Sequence, residues 1–269
     1  MTVMCRLYGV TRADYYTWRR RDPSKGVQAN EQLWKKIQDV HAKSRDTYGS
    51  PRVHEALKAL GEGASKGRVE RLMRRKGLKA RVARLYRSNP GHHAFYANIP
   101  NQQLEKIATA PDQVWVGDVT YLKVGQVWRY LAVVMDKYSR RVIGWSLGKA
   151  RDANLTIAAL NRAAFNRRRA SGVIFHTDRG IEYAAYAFRR RLGRLGFMQS
   201  MNRPGTMIDN AHIESFFYSM KSDVIHGKRF HDDREIKKTI RSYMPFYNHE
   251  RLHSSLGYQP PAAYEAHVA

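Results

Sequence analysis

The sequence contains a single cysteine, Cys5, among 269 residues. One thiol cannot form a disulfide within the chain, and it cannot build a zinc site from several thiolates. The sequence also lacks an apolar run long enough for a signal peptide or a membrane span. These absences exclude a disulfide-stapled secreted protein, a thiolate zinc module and a membrane-spanning protein. We therefore expect a cytoplasmic protein.

Acidic residues are scarce. The chain has 23 Asp and Glu against 48 Lys and Arg, which gives a formal net charge of +25 at pH 7. Both halves of the chain share this excess, so the charge is not confined to one basic tail. A charge of this size predicts a polyanionic partner, and nucleic acid is the default. A membrane surface is the weaker alternative, because no segment pairs a strong apolar face with a basic one.

Three acidic residues lie in segments with different predicted local structure. Asp118 lies within an alternating apolar run, which predicts a buried strand. Asp178 follows a short apolar run and is expected at the end of a second strand. Glu214 follows Asn210, a good helix N-cap residue, which predicts a place in the first turn of a helix. Two strand carboxylates and one helix carboxylate could converge to hold divalent metal ions.

The spacing of these residues is informative. Thirty-five residues separate Asp178 from Glu214, and Lys221 follows Glu214 by seven. Seven residues span two helical turns, so Glu214 and Lys221 are predicted to share a face. At these positions the sequence resembles the catalytic subunit of bacterial insertion-sequence transposases with a retroviral-integrase-like core. The resemblance covers nearly the whole chain and rests on five ordered blocks: Trp115, Asp118, Thr120 and Tyr121; Asp136, Ser139 and Arg140; His176, Asp178, Gly180 and Tyr183; Asp209, Asn210, Glu214, Ser215, Phe216 and Lys221; Tyr247, Asn248, Arg251, His253, Leu256 and Pro260.

The resemblance implies a DNA transposase that binds the ends of an insertion element, cuts strands and joins them. By the same resemblance Asp118, Asp178 and Glu214 are the catalytic and metal-binding residues, with two Mg²⁺ ions per site and Mn²⁺ as a substitute. Lys221 would contact a DNA phosphate. The implied partners are double-stranded DNA, further copies of this chain, and an upstream-frame helix-turn-helix subunit or fusion, all at the bacterial nucleoid.

Two other functions remain open at this point. One is a metal-dependent nuclease that only hydrolyses, which a strand-joining assay would separate from a transposase. The other is a catalytically silent DNA-binding protein derived from a transposase. Retention of all three acids at the family spacing argues against the silent protein.

The chain is predicted to divide into four segments. Residues 1–28 form a partial helix-turn-helix-like basic segment, 29–85 a helix-turn-helix DNA-binding domain, 86–112 a linker, and 113–269 the integrase-like core with a helical tail. In the second segment a helix is predicted over 31–43, and a later one is capped by Ser65. That later helix carries five basic residues predicted to face outward and contact DNA, although a solvated basic face is the alternative: Lys66, Arg68, Arg71, Arg74 and Arg75.

The predicted fold class of the core is α/β. The pattern predicts three antiparallel strands, a helix starting at Asp152 or Asn154, a strand, a helix over 181–195, a short strand and the helix of Glu214. This order is ribonuclease H-like, with a five-stranded mixed sheet flanked by helices and preceded by small all-α modules, and the family resemblance agrees. Phe165 is predicted to face the core.

Other polar residues near these motifs are assigned lesser roles. Asp136 ends the second strand beside a turn, where Asp commonly accepts backbone hydrogen bonds. Glu182 is expected to line the site without binding metal, and His176 to be a packed core histidine. The tail is expected to fold back over the core, and Arg251 and His253 are weak candidates for DNA contact.

Overall fold

The computed structural model describes residues 2–20, 22–80, 99–102, 108–168, 172–203 and 210–267. The chain forms two compact units, Met1–Ala80 and Arg81–Ala269. Most of the predicted linker 86–112, and Asp209 before the helix of Glu214, lie outside the described residues. None of the described helices combines the length and the apolar character needed to cross a membrane.

The first unit is helical. Its described part contains α1 (Thr2–Leu7), α2 (Arg12–Arg20), α3 (Lys25–Lys43), α4 (Ser50–Ala59) and α5 (Lys66–Arg75). Helix α3 begins earlier than the predicted start at residue 31. The reason is local, because Ser24 caps the helix and its hydroxyl accepts the N–H of Val27 at 3.4 Å.

Helices α3, α4 and α5 pack around one apolar core. Their buried residues are Leu33, Ile37, Val40, Val53, Leu57, Val69, Leu72 and Met73. Ser65 caps α5 as predicted, since its hydroxyl accepts the N–H of Arg68 at 3.4 Å. Just beyond the helix, Gly77 adopts a φ of +71°, a left-handed position that favours glycine. Three short helices packed in this way are compatible with a helix-turn-helix.

The second unit is a mixed sheet covered by helices. Its elements are β1 (Val114–Val124), β2 (Val127–Asp136), β3 (Val142–Gly148), α6 (Ala153–Asn166), β4 (Ile174–Thr177), α7 (Ile181–Ala184), α8 (Tyr186–Arg194), β5 (Met198–Met201), α9 (Ala211–Met220), a π-helical turn (Lys221–Ile225), α10 (Asp233–His249), a 3₁₀ turn (Ser254–Leu256) and α11 (Pro261–Ala266). The strand order is β3-β2-β1-β4-β5. Strands β1, β2 and β3 pair antiparallel, whereas β4 pairs parallel with both β1 and β5. The predicted α/β fold class with a five-stranded mixed sheet is confirmed.

The alternation of side chains along β1 divides the core into two layers. Val116 and Leu122 belong to the layer under α9 and α10. Trp115 and Val119 point to the other face, into the layer formed with α6 and α8. The sheet is therefore buried on both faces, as the element order predicts.

Two details of the helices differ from the prediction. Phe165 is 70% exposed, because the buried stripe of α6 runs through Leu155, Ala159 and Ala163 and Phe165 lies across the helix from it. The helix predicted over 181–195 is two helices, because Ala185 between them has a non-helical ψ of 137°.

The C-terminal tail folds back over the core, as predicted. The Asn248 side chain accepts the N–H of Val142 at 2.9 Å and donates to its carbonyl at 2.8 Å. Further along, one Glu265 oxygen accepts from Ser139 Oγ at 2.7 Å, and the other accepts from Arg141 at 3.0 Å. These bonds attach the tail to the turn between β2 and β3 and to the start of β3.

Strand β3 approaches α6 closely at Gly144. A Cβ there would lie 2.4 Å from the Ala159 carbonyl oxygen and 2.6 Å from the Ala163 nitrogen, both backbone atoms. We expect Gly144→Ala to destabilise the protein by about 1–3 kcal/mol, because the helix must move away from the sheet. The measurement is thermal unfolding, in which Tm should fall.

Gly193→Ala in α8 is the matched control. A Cβ on Gly193 would meet no atom within 4 Å, and alanine favours a helix over glycine. This variant should keep or raise Tm. An unchanged Tm for Gly144→Ala would contradict the close approach of β3 to α6.

Candidate active site

Strands β1 and β4 place Asp118 and Asp178 next to each other. The parallel register pairs Gly117 with Thr177, and each Asp is the following residue of its own segment. Asp118 lies in the middle of β1, whereas Asp178 comes directly after β4 ends. One oxygen of Asp118 accepts a backbone N–H at 2.6 Å, and one oxygen of Asp178 accepts another at 3.0 Å. Backbone contacts thus orient both carboxylates.

Glu214 lies in the first turn of α9, as predicted. The helix is fixed by its opposite side, where Ile213, Phe216 and Phe217 are buried in the core, so Glu214 remains exposed. Asn210 occupies the cap position, but its side chain makes no capping hydrogen bond. That part of the prediction is wrong, and core packing rather than a cap sets where α9 presents Glu214.

The three carboxylates influence one another's protonation. Burial raises the pKa of Asp118 well above its usual value, and the charges of Asp178 and Glu214 raise it further. The pKa of Asp178 is raised by burial and then by the neighbouring Glu182. Although Glu214 is exposed, partial desolvation raises its pKa, and the charge of Asp178 raises it further. Like charges crowded in a partly buried site disfavour ionisation, and a bound cation would relieve this.

Arg151 reaches the same cluster from the connection between β3 and α6. Its Nε donates to Glu182 Oε1 at 2.8 Å, and its Nη2 lies 3.8 Å from Asp178 Oδ2. Glu182 lines the site, as predicted. Sequence reasoning missed Arg151, because the residue directly precedes the helix cap Asp152 and nothing in the local pattern connects it with the acids.

Lys221 begins the π-helical turn that continues α9. Its Nζ lies 4.8 Å from the centre of the Tyr121 ring. Burial lowers the pKa of Lys221, and the charge of Asp118 partly offsets this. The charge of Asp118 thus acts on Lys221, and the charge of Asp178 acts on Glu214 earlier in the same segment.

The π-helical turn is held by a buried ion pair. Asp223 within the turn accepts from Arg251 Nε at 2.7 Å and from the Tyr243 hydroxyl at 2.8 Å. Arg251 is 3% exposed, so the suggestion that it contacts DNA is wrong. The ring of His253 packs against Tyr247, with 4.7 Å between the ring centres.

Asp136 and His176 have the structural roles predicted for them. Both are fully buried. Asp136 accepts the N–H groups of Ser139 at 2.9 Å and Asp112 at 2.7 Å, which closes the turn after β2. His176 hydrogen-bonds through both ring nitrogens to polar side chains of the neighbouring segment, at 2.9 and 2.6 Å.

The five basic residues predicted for DNA contact differ in their surroundings. Arg68 does not face outward, because it is half-buried and its Nε donates to Asn30 Oδ1 at 2.8 Å. Arg74 is exposed and pairs with Glu70 at 2.7 Å. The remaining three are exposed: Lys66, Arg71 and Arg75.

The donor set around Asp118 fits a hard divalent cation, because carboxylate oxygens are the ligands that Mg²⁺ and Mn²⁺ prefer. Among the described residues, no three His, Cys, Asp or Glu side chains stand close enough to hold one ion together. Two observations therefore support binding of a divalent cation: the oxygen donors of Asp118, Asp178 and Glu214, and their raised pKa values. A preformed metal cage is not among them.

Ionisation of Asp118 should cost stability. Its folded pKa is raised, so the group stabilises the fold below its unfolded pKa of about 3.9 and loses that contribution as the pH rises through the folded value. Asp118→Asn cannot ionise. In a chelator at pH 7 its Tm should therefore exceed that of the wild type, and the difference should vanish below about pH 4.

Asp136→Asn is the control, because burial also raises the pKa of Asp136. Both of its oxygens, however, accept N–H groups, which an amide nitrogen cannot do. This variant should have a lower Tm at pH 7. A lower Tm for Asp118→Asn as well would show that ionisation of Asp118 does not destabilise the fold.

Known proteins share this architecture. Residues 108–207 and 195–261 match integrase core domain families, and residues 28–86 match an HTH-like domain family. In the simian T-cell lymphotropic virus intasome, solved by cryo-EM with the PP2A regulatory subunit B56 gamma, one chain superposes with a TM-score of 0.50 at 16% identity. The superposition covers 85% of this chain and 74% of that chain, and it supports the fold alone.

The family assignment rests on relatives that match this chain over nearly their full length. A 31 kDa protein of insertion element IS600 from Shigella sonnei is 36% identical over 265 residues, 97% of each chain. The transposase InsF of insertion sequence IS3A from Escherichia coli strain K12 is 36% identical over 267 residues, covering 97% of this chain and 92% of that protein. With the integrase core and the HTH-like domain both present, the chain belongs to the IS3-type family of insertion-sequence transposases, polynucleotidyl transferases that include InsF.

Proposed function

We propose that this transposase cuts and joins DNA strands with Asp118, Asp178 and Glu214 as the ligands of two divalent cations, Mg²⁺ with Mn²⁺ as a substitute. The observation that carries the proposal is the pairing of β1 with β4, which sets two carboxylates at adjacent positions while the charge of Glu214 acts on the pair. A chain of net charge +25 supplies the electrostatic attraction for DNA.

The reaction is two displacements at phosphorus. Water attacks a phosphodiester at the element end, a new P–O bond forms, and the old bond to the 3′ oxygen breaks. That oxygen takes a proton and becomes a 3′-hydroxyl. The 3′-hydroxyl then loses its proton to solvent and attacks a second phosphodiester in the target, where a new P–O bond forms as the bond to the leaving oxygen of the target strand breaks, and that leaving oxygen takes up a proton. Asp118, Asp178 and Glu214 would hold the divalent cations, which would supply activation of the attacking oxygen and stabilisation of the leaving one.

The chain's own residues orient these steps. Asp118 is central, since its charge interacts with those of Asp178, Glu214 and Lys221. Asp118 would contribute to holding both cations, and Asp178 and Glu214 would each help to hold one. Lys221, held over Tyr121 and beside Asp118, is placed to contact a phosphate of the bound strand. No side chain needs to form a covalent intermediate with DNA.

We assign end binding to residues 29–85, with Lys66, Arg71, Arg74 and Arg75 of α5 as the residues that bind phosphate. Each of these side chains is exposed, whereas Arg68 is tied to Asn30. Residues 86–112 would link this domain to the core. The same proposal includes a homo-oligomeric complex, because two element ends must be joined in one event, and an upstream-frame helix-turn-helix subunit or fusion.

End binding is tested by salt dependence. Replacing Arg71 and Arg75 with Ala in the full chain should lower the slope of log affinity against log salt by roughly 0.9 for each phosphate that the protein no longer neutralises. Fluorescence anisotropy with a labelled duplex of the element end measures this slope.

Arg68→Ala is the comparison variant. Because its guanidinium already bonds Asn30, it should lower thermal stability and leave the slope unchanged. An unchanged slope in the Arg71 and Arg75 double variant would place the DNA surface elsewhere.

Catalysis is tested by isosteric variants. Asp118→Asn, Asp178→Asn and Glu214→Gln remove charge with little change of shape. Each should abolish cleavage and joining of a labelled duplex carrying the element's own ends in Mg²⁺, while end binding persists. Losing a metal ion removes several kcal/mol of transition-state stabilisation, and about 1.4 kcal/mol is a factor of ten in rate. The loss of activity should therefore span orders of magnitude.

Asp136→Asn and Glu182→Gln should retain measurable activity, because neither is assigned to the metal. An inactive Glu182 variant beside an active Glu214 variant would make Glu214 the wrong third ligand. Cleavage without joining by the unmodified protein would favour a hydrolysing nuclease. Binding without cleavage in any metal would favour a silent DNA-binding protein.

A further inference from the structure

The positively charged side chain of Arg151 lies within the carboxylate cluster. Arg151 donates to Glu182 at 2.8 Å and lies 3.8 Å from Asp178. Its charge also lowers the pKa of both Asp118 and Asp178 against the stronger effect of burial. A guanidinium stays charged at every pH of interest. Part of the compensation that a metal ion would provide is therefore already present.

Glu182 sets the position of the Arg151 guanidinium. Its side chain is 0% exposed, whereas the Arg151 side chain is 42% exposed. A Cβ on Gly180 would lie 2.6 Å from Glu182 Oε1, so the backbone after Asp178 closes tightly against this carboxylate. Glu182 Oε2 has no hydrogen-bond partner in the described part of the chain. A buried carboxylate with one free oxygen depends on its remaining partner, which is Arg151.

Formal charges show what this arrangement means for metal binding. Two cations, Arg151 and Lys221, face four carboxylates: Asp118, Asp178, Glu182 and Glu214. Two negative charges remain uncompensated when all four acids are ionised. A divalent cation approaching Asp178 meets the positive charge of Arg151, which already stands beside that carboxylate.

We propose that Arg151, held by the buried Glu182, is a positioning residue that sets the metal affinity of the active site by competing with a divalent cation for Asp178. The inference rests on the proposed function, because it takes Asp118 and Asp178 to be metal ligands. Glu182 acts through Arg151: it draws the guanidinium toward itself and so leaves Asp178 available.

The signs of the expected effects follow from charge. Arg151→Gln removes the competing charge and leaves Glu182 without its partner, so Mn²⁺ should bind more tightly. Arg151→Lys keeps the charge and should bind close to the wild-type value. Glu182→Gln releases the guanidinium toward Asp178, so Mn²⁺ should bind more weakly. A pair that served only packing would change stability without moving the Mn²⁺ affinity.

The experiment is a titration of the full-length chain with Mn²⁺, with free Mn²⁺ measured by electron paramagnetic resonance and folding checked by circular dichroism. We expect Arg151→Gln to bind roughly tenfold more tightly, and Glu182→Gln roughly tenfold more weakly, as for other residues that orient metal ligands. Equal or weaker binding by Arg151→Gln would overturn the inference. If that variant does not fold, Glu182→Gln decides alone, and unchanged binding overturns it.

A double variant separates positioning from ligation. If Glu182 acts through Arg151, Glu182→Gln should have no further effect when Arg151 is already Gln. A second decrease of affinity in the double variant would show that Glu182 acts on the metal directly, through its charge or as a ligand, and would overturn its positioning role. Asp118→Asn distinguishes this failure from failure of the proposed function. If Asp118→Asn leaves Mn²⁺ binding intact, the assignment of Asp118 as a metal ligand is wrong. If Asp118→Asn lowers Mn²⁺ binding and Arg151→Gln leaves it unchanged, only the proposed competition between Arg151 and the metal fails.

Discussion

The parallel hydrogen bonding of β1 to β4 is the contact on which the site depends. It joins segments far apart in the chain and aligns Gly117 with Thr177, so that Asp118 and Asp178 follow side by side. A slip of one residue would turn the side chains of one strand to the opposite face of the sheet. The two apolar layers prevent such a slip, because Val116 must stay in one layer and Trp115 in the other. Core packing thus sets the position of the carboxylates.

Placing Asp118 and Asp178 side by side costs electrostatic free energy. Two carboxylates at adjacent positions, with a third near them, favour protonation or a cation. Two positively charged side chains, Arg151 and Lys221, offset this cost in place of neutral partners. Arg151 is hydrogen-bonded to Glu182, whereas the Nζ of Lys221 lies over the Tyr121 ring. Protein sites that depart from the most stable arrangement are typically functional ones.

Local signals in the sequence predicted most of the elements. The strand over 114–124 and the cap Ser65 are confirmed, and of the two predicted helix starts, Asp152 and Asn154, the structure has Asp152, because each is read from a few neighbouring residues. Arg151 could not be found in this way, since its role depends on which segments the sheet brings together. The proximity of Asp118 to Asp178 likewise came from the family resemblance and not from the spacing. Arg68 was misjudged because helical periodicity does not show that Asn30 lies opposite.

The C-terminal tail shows how residues without a catalytic atom decide the geometry of the site. Helix α9 ends at Met220, and the wider π-helical turn starts at Lys221. Such a turn is uncommon and needs support from its surroundings. The support is the buried carboxylate of Asp223, held by Arg251 and Tyr243. A buried ion pair contributes little net stability but strongly penalises any arrangement that separates its members. Through Arg251 the tail therefore holds the π-helical turn that begins at Lys221.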